Sequence, residues 1–238
     1  MQTVPPVPAQ APLLRRRLFA GVAGTGTLAL SGCSLPFRGP AVPLGRSAEA
    51  TVMGIPNERF FPLVSSATLE VEFMQAVLRR RMAMASSVMF GPSPLRLLSV
   101  SGGGENGAFG AGLLCGWSAH GDRPLFDLVT GISTGALTAP FAFLGSGYDA
   151  QLRAVYTELS PKDVLVSRGL RGALFDDALS DNMPLFKTIT RYLNDGMLAD
   201  VARGYDEGRL LLIASTDLDA QQPVIWNIGA IAKSGHPR

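Results

Sequence analysis

Cysteine and histidine are scarce in this chain, with two of each in 238 residues. Cys33 and Cys115 cannot make the several bridges of a disulfide framework. With His120 and His236 they are too few and too scattered for a metal ligand set, so no metal is expected. Charge is thin as well. The formal net charge is +2, and residues 1–32 hold three arginines and no Asp, Glu or Lys, so the remainder carries −1. A nearly neutral domain lacks the basic surface that displaces counterions, which excludes nucleic acid as a partner. Polar excess is missing too: hydrophobic residues make up 47% against 17% charged, which excludes a disordered chain. There are no internal repeats.

What the N-terminus does contain reads as an address. Four prolines (Pro5, Pro6, Pro8, Pro12) precede Arg15-Arg16-Arg17, and the 13 residues from Leu18 to Leu30 are uncharged. That length suits the apolar region of a signal peptide and is short for a membrane-spanning helix. Gly21, Gly24 and Gly26 disfavour a stable soluble helix, at roughly 1 kcal/mol each. The stretch ends in Leu30-Ser31-Gly32-Cys33, which resembles a bacterial lipobox, and Arg16-Arg17-Leu18-Phe19 resembles the core of a twin-arginine export signal. The expected organisation is a signal peptide at 1–32, a Pro/Gly-rich tether at 33–66 and a folded domain at 67–238. The expected location is the bacterial cell envelope, with export and lipid anchoring at Cys33.

Within the domain, apolar spacing at Val71, Met74, Val77 and Leu78 predicts an amphipathic helix over 69–85. Gly91-Pro92 breaks it. Residues 95–100 read as a short buried strand and Gly107–Ala119 as a helix, stopped by His120, Gly121 and Pro124. A second strand at 126–130 leads into an apolar helix over 136–144, with Pro140 as a kink or early-turn residue. Helices are expected over 148–159, closed by Ser160-Pro161, and over 185–202, with Pro184 in its first turn. Strands at 210–215 and 224–228 flank a turn at Gln221-Gln222-Pro223. Strands alternating with helices predict an α/β layered domain.

Two glycine patterns carry chemistry. Gly131-x-Ser133-x-Gly135 lies between a predicted strand and a predicted helix. A serine there sits on a tight turn with its hydroxyl presented, and the flanking glycines remove clashing side chains. The following helix places its positive dipole end nearby. The second pattern is Ser101-Gly102-Gly103-Gly104-Glu105-Asn106-Gly107, again from strand to helix. Such a loop can cradle a dinucleotide pyrophosphate. It can equally aim its amides at the oxyanion of an acyl intermediate, where one donor is worth about 3–4 kcal/mol. The dinucleotide reading needs an acidic residue at the end of the next strand. Asp122 precedes that strand and Asp127 lies near its start, while the end holds the serine turn. The spacing therefore favours an oxyanion hole and no cofactor.

SGGGENGAFGAGL followed about thirty residues later by GISTGAL resembles the patatin-like phospholipases, and LLIASTDLDAQQPVIW resembles a strand pair of the bacterial members. The likeness covers residues 95–238. It implies a three-layer α/β/α sandwich and a Ser–Asp dyad that hydrolyses lipid or simple esters without a histidine. It implies Ser133 as nucleophile, Gly131 and Gly135 as its elbow, and an oxyanion hole from the loop of Gly102, Gly103, Gly104 and Gly107. Substrate lipid and the membrane are the implied partners.

A serine needs a base to take its proton, and in this family that base is an Asp in Asp-Gly-Gly or Asp-Gly-Ala. Neither occurs in these residues, so the domain is expected to be incomplete at its C-terminal end. Asp195-Gly196 falls within the predicted 185–202 helix, and Asp217 and Asp219 suit a turn. His120 has its helix-end role, and His236 lies near the terminus. Cys115, Trp117 and Trp226 read as packing residues. The alternative function is an inactive homologue that binds lipid.

Overall fold

The computed structural model describes residues 42–47, 49–64, 66–85, 94–158, 166–167, 180–181 and 183–236. The expectations for residues 1–32, for Cys33, for the Gly91-Pro92 break and for Ser160-Pro161 lie outside them.

Three parallel strands form the heart of a five-stranded mixed sheet, in the order β1-β7-β6-β3-β2. They are β2 (Leu97–Val100), β3 (Leu128–Ile132) and β6 (Leu210–Asp217), joined by β7 (Gln222–Asn227) and β1 (Arg59–Phe60) in antiparallel pairing. A two-residue ladder pairs β4 (Val166–Ser167) with β5 (Ser180–Asp181). The helices are α1 (Ala67–Ala85), α2 (Gly107–His120), α3 (Thr134–Leu144), α4 (Asp149–Thr157), α5 (Met183–Tyr192), α6 (Asp195–Asp206) and α7 (Ile228–Lys233).

Strand alternation divides the apolar residues between two faces. Val129 and Leu211 point to a core shared with Ala111, Leu114, Phe143, Leu152 and Val201. Leu128, Leu210 and Leu212 point to the other side, against Ala76 and Phe73 of α1 and Tyr205 of α6. The result is the expected α/β/α layering, with β3 the middle one of the three parallel strands.

Several expectations shift. The tether was expected to run to residue 66, yet Ile55, Phe60 and Phe61 are buried and β1 extends the sheet beside β7, so the fold includes them. The strand at 95–100 is shorter and lies at the sheet edge, with Leu98 and Val100 packed against the core and Leu97 and Ser99 exposed on the opposite face. The helix expected over 185–202 is two helices. Asn194 ends the run and caps α6, its side chain accepting from the Met197 amide at 3.0 Å. Pro140 lies inside α3 and is buried.

The largest reversal concerns α1. Of the four apolar residues whose spacing predicts its inner face, Val71, Met74 and Leu78 are exposed, together with Met82, and Val77 is half-buried. The helix docks instead through Glu72, which is fully buried, and through Ala76. The Glu72 carboxylate accepts from Tyr205 Oη (2.8 Å), Arg79 (2.9 Å) and Asn57 (3.1 Å), so its charge is compensated. Arg80 pairs with Asp127 at 2.7 Å. Backbone meets backbone here: a Cβ on Gly208 would lie 2.3 Å from the Ala76 carbonyl oxygen. A polar, small-residue face permits that approach where an apolar stripe of large side chains would not.

Candidate functional site

Parallel register brings both glycine patterns to the same end of the sheet. Val100 stands opposite Gly131, so the loop after β2 and the turn after β3 leave neighbouring carboxyl ends side by side. Open α/β sheets bind ligands outside such strand ends.

Ser133 links β3 to α3 without a spacer and adopts φ 54°, ψ −126°. A non-glycine residue at positive φ is strained, by roughly 1–3 kcal/mol, and is kept only where its surroundings enforce it. Here the enforcing contacts are visible. A Cβ on Gly135 would lie 2.2 Å from the Val100 carbonyl oxygen, and one on Gly131 would lie 2.5 Å from the Gly135 carbonyl oxygen. Both positions must be glycine for α3 to close onto β2 and β3. The Ser133 side chain faces outward as an exposed residue.

The glycine loop packs directly on this serine. A Cβ on Gly102 would lie 2.7 Å from Ser133 Cβ and 3.3 Å from Ser133 Oγ. Gly103 and Gly104 continue past it, Gly104 at φ +56°, into a short 3-10 turn over Gly104–Asn106 that runs into α2. Gly107 is held to glycine for another reason: a Cβ there would meet Tyr156 Oη at 2.9 Å and Thr134 Oγ1 at 3.0 Å. A cavity of about 470 Å³ opens beside the loop, lined by Gly102, Asn106, Gly107, Phe109, Gly135 and Thr138 among others.

The helix behind the serine is fixed at its far end. Residues Thr138–Phe143 of α3 are buried. Its terminal carbonyls accept from two arginines. Arg123, 1% exposed, donates to Phe141 O (3.2 Å) and Ala142 O (3.3 Å), and pairs with Asp149 at 2.7 Å. Arg209 donates to Phe143 O and Phe126 O, and its burial lowers the guanidinium pKa. Cations at the carboxyl end complement the helix dipole, whose positive end lies at Ser133.

Thr138, Tyr156, Asn106 and Phe109 were not singled out in the sequence as site residues. Thr138 Oγ1 and Tyr156 Oη lie 2.7 Å apart, and Tyr156 Oη donates to Thr134 O at 3.1 Å. Burial raises the Tyr156 pKa, so its hydroxyl stays protonated and available to donate. Five residues past Ser133 and four past Thr134, Thr138 sits where one helical turn returns toward the loop, which is the signal that could have located it.

Of the candidate bases, Asp217 ends β6 at the same carboxyl end of the sheet as Ser133. Asp217 caps a turn, its carboxylate accepting from the amides of Asp219 and Ala220 at 3.0 Å each. Asp195 stands in the first turn of α6 rather than inside a longer helix. His120 contacts Asp122 at 2.9 Å on the surface, and the His236 amide donates to Ser234 Oγ. None of these bonds Ser133. Trp117, which meets Phe126 edge-on at 5.8 Å, and Cys115, a partly buried free thiol, pack against the core, whereas Trp226 belongs to neither core cluster and donates to Ser215 Oγ. Among the described residues, no cluster of His, Cys, Asp or Glu could hold a metal, and no helix is long and apolar enough to cross a membrane.

A family model described as patatin-like phospholipase matches residues 98–225, more than half of the chain. Among curated proteins, a cUMP-AMP-activated phospholipase of Escherichia coli is 32% identical over 143 residues, which is 59% of this chain and 40% of that protein. The chain thus spans well under half the length of that relative. No solved structure gives a significant match.

Proposed function

Because the chain belongs to the patatin-like phospholipase family, we propose that it is a serine acyl hydrolase of lipid esters with Ser133 as its nucleophile. The observation that carries this reading is the positive φ of Ser133 directly beneath the Gly102 backbone. In the proposed reaction, Ser133 Oγ attacks the ester carbonyl carbon as a base takes its proton. Amides of the Gly102–Gly104 loop hold the oxyanion, and the α3 dipole adds to that stabilisation. The C–O bond to the leaving alcohol then breaks, and water hydrolyses the acyl-serine. Fluorophosphonate labelling of the purified chain beside Ser133→Ala tests the assignment. Labelling that disappears in the variant supports it. Equal labelling of both proteins would assign the reactive group elsewhere.

A second reading is a homologue that binds lipid without turnover. It is favoured by the engagement of the Asp217 carboxylate in its own turn. A folded chain that resists the probe would support it.

We also propose that residues 1–32 direct export and that Cys33 carries the lipid anchor, on the strength of the Leu30-Ser31-Gly32-Cys33 run. In carbonate-washed membranes, which lose peripheral contacts, Cys33→Ser should move the protein from the membrane fraction to the soluble one. Unchanged fractionation, with no lipid adduct on Cys33 by mass spectrometry, would reject the anchor.

A further inference from the structure

Helix α2 carries no charged side chain before His120. Its inner face supplies Ala111 and Leu114 to the core. Its outer face is Ala108, Phe109, Gly112, Leu113, Gly116 and Ala119, all exposed. Phe109 is 78% and Leu113 59% exposed, one turn apart on the same side. A helix packed on one face ordinarily turns polar residues to water on the other. A contiguous apolar patch instead marks a surface that something covers.

The patch begins at the site. Phe109 lines the cavity together with Gly107 and Gly110, so the outer face of α2 runs without interruption into the space beside the glycine loop. We infer that this face seats the protein on a lipid layer, with Phe109 and Leu113 inserted among acyl chains. The inference rests on the acyl-hydrolase reading for the direction in which substrate travels.

Two features select a lipid layer over a second copy of the chain. A partner protein docked on α2 would cover the cavity mouth at Phe109, whereas a lipid layer in that position supplies it. Protein interfaces also carry about one hydrogen bond per 100–200 Å², and this face offers no polar side chain to make one. Small residues between the two large ones leave an uncharged surface of the kind that lies in the acyl boundary.

Leu113 does not line the cavity, and Glu matches Leu closely in helix propensity. The full chain carrying Leu113→Glu should therefore hydrolyse a water-soluble short-chain ester as before. Its hydrolysis of phosphatidylcholine vesicles should fall on the order of tenfold, the effect of losing one buried leucine. A second measurement does not depend on turnover. Leu113→Cys in a full chain with Cys33→Ser and Cys115→Ser carries a fluorophore, and vesicles contain phosphatidylcholine with spin-labelled acyl chains. Quenching at position 113, but not for the same label on a Glu207→Cys chain, is expected. Equal loss on both substrates, undiminished vesicle hydrolysis, or an unquenched label at 113 would overturn the inference. So would a dimer that Leu113→Glu dissolves while vesicle hydrolysis persists. If the wild-type chain hydrolyses neither ester, the catalytic reading has failed, and the quenching result alone decides the surface.

Discussion

Gly102 shows how narrow the tolerance of the site is. The position for its missing side chain is occupied by Ser133, 2.7 Å away at Cβ. Gly102→Ala should therefore lower labelling and turnover by on the order of a hundredfold, comparable to losing one oxyanion donor. The fold should survive, because Gly102 lies in a partly exposed loop, outside both cores. Retained circular dichroism with lost labelling is the expected pair of results. Full activity in the alanine variant would mean that the loop does not hold its position against the serine. Gly131 and Gly135 differ in kind, since their neighbours are strand and helix backbone, and substitution there strains the fold itself.

At the scale of elements, α3 is positioned from behind. Arg123 bonds its terminal carbonyls while pairing with Asp149 at the start of α4, so one guanidinium joins two helices. Arg123→Met should destabilise the protein by about 3 kcal/mol, because it leaves a partly buried carboxylate and several carbonyls unpaired. Urea denaturation measures this, and a change below about 0.5 kcal/mol, as for an ordinary surface residue, would show that the arginine is dispensable. Elements of this kind were unevenly legible. The strand–serine–helix and strand–glycine–helix junctions could be read from local sequence, since turns demand particular residues at particular places. The docking face of α1 could not. Its large apolar residues point outward, while Glu72 is buried through contacts with Asn57, Arg79 and Tyr205, the last 133 residues away. Apolar periodicity cannot report a buried carboxylate whose partners are distant in sequence. The Asn194 break was missed for a related reason, because Asn is tolerated in a helix interior and its capping bond became evident only in three dimensions.

For the molecule as a whole, two tyrosines set an alkaline limit. Tyr205 is raised to about 12, chiefly by burial and then by its bond to Glu72. Tyr148 is raised to about 12, chiefly by its hydrogen bond to Asp200. Both folded values exceed the unfolded value of 10, so the folded chain keeps protons that the unfolded chain releases. Stability is fully present below pH 10 and falls as pH rises from 10 to about 12. Tyr205→Phe should flatten part of that fall, read as the change in urea midpoint across this range. An unaltered slope would remove Tyr205 as its source. Asp200 acts in the opposite direction: Tyr148 lowers its pKa, so its contribution is lost only as pH falls into the acid range.

The place of β3 between β2 and β6 also bears on synthesis. Its neighbour β2 precedes it by some thirty residues, but on the other side Ile132 pairs with Ala214, about eighty residues later. At ribosomal speeds of 5–20 residues per second, the open side of β3 waits roughly 4 to 16 seconds for its partner. During that interval the serine turn has its contacts with β2 and the glycine loop but lacks β6 beside it, and an apolar strand edge is open to any passing chain. The nascent protein is therefore most in need of a chaperone between the emergence of β3 and that of β6.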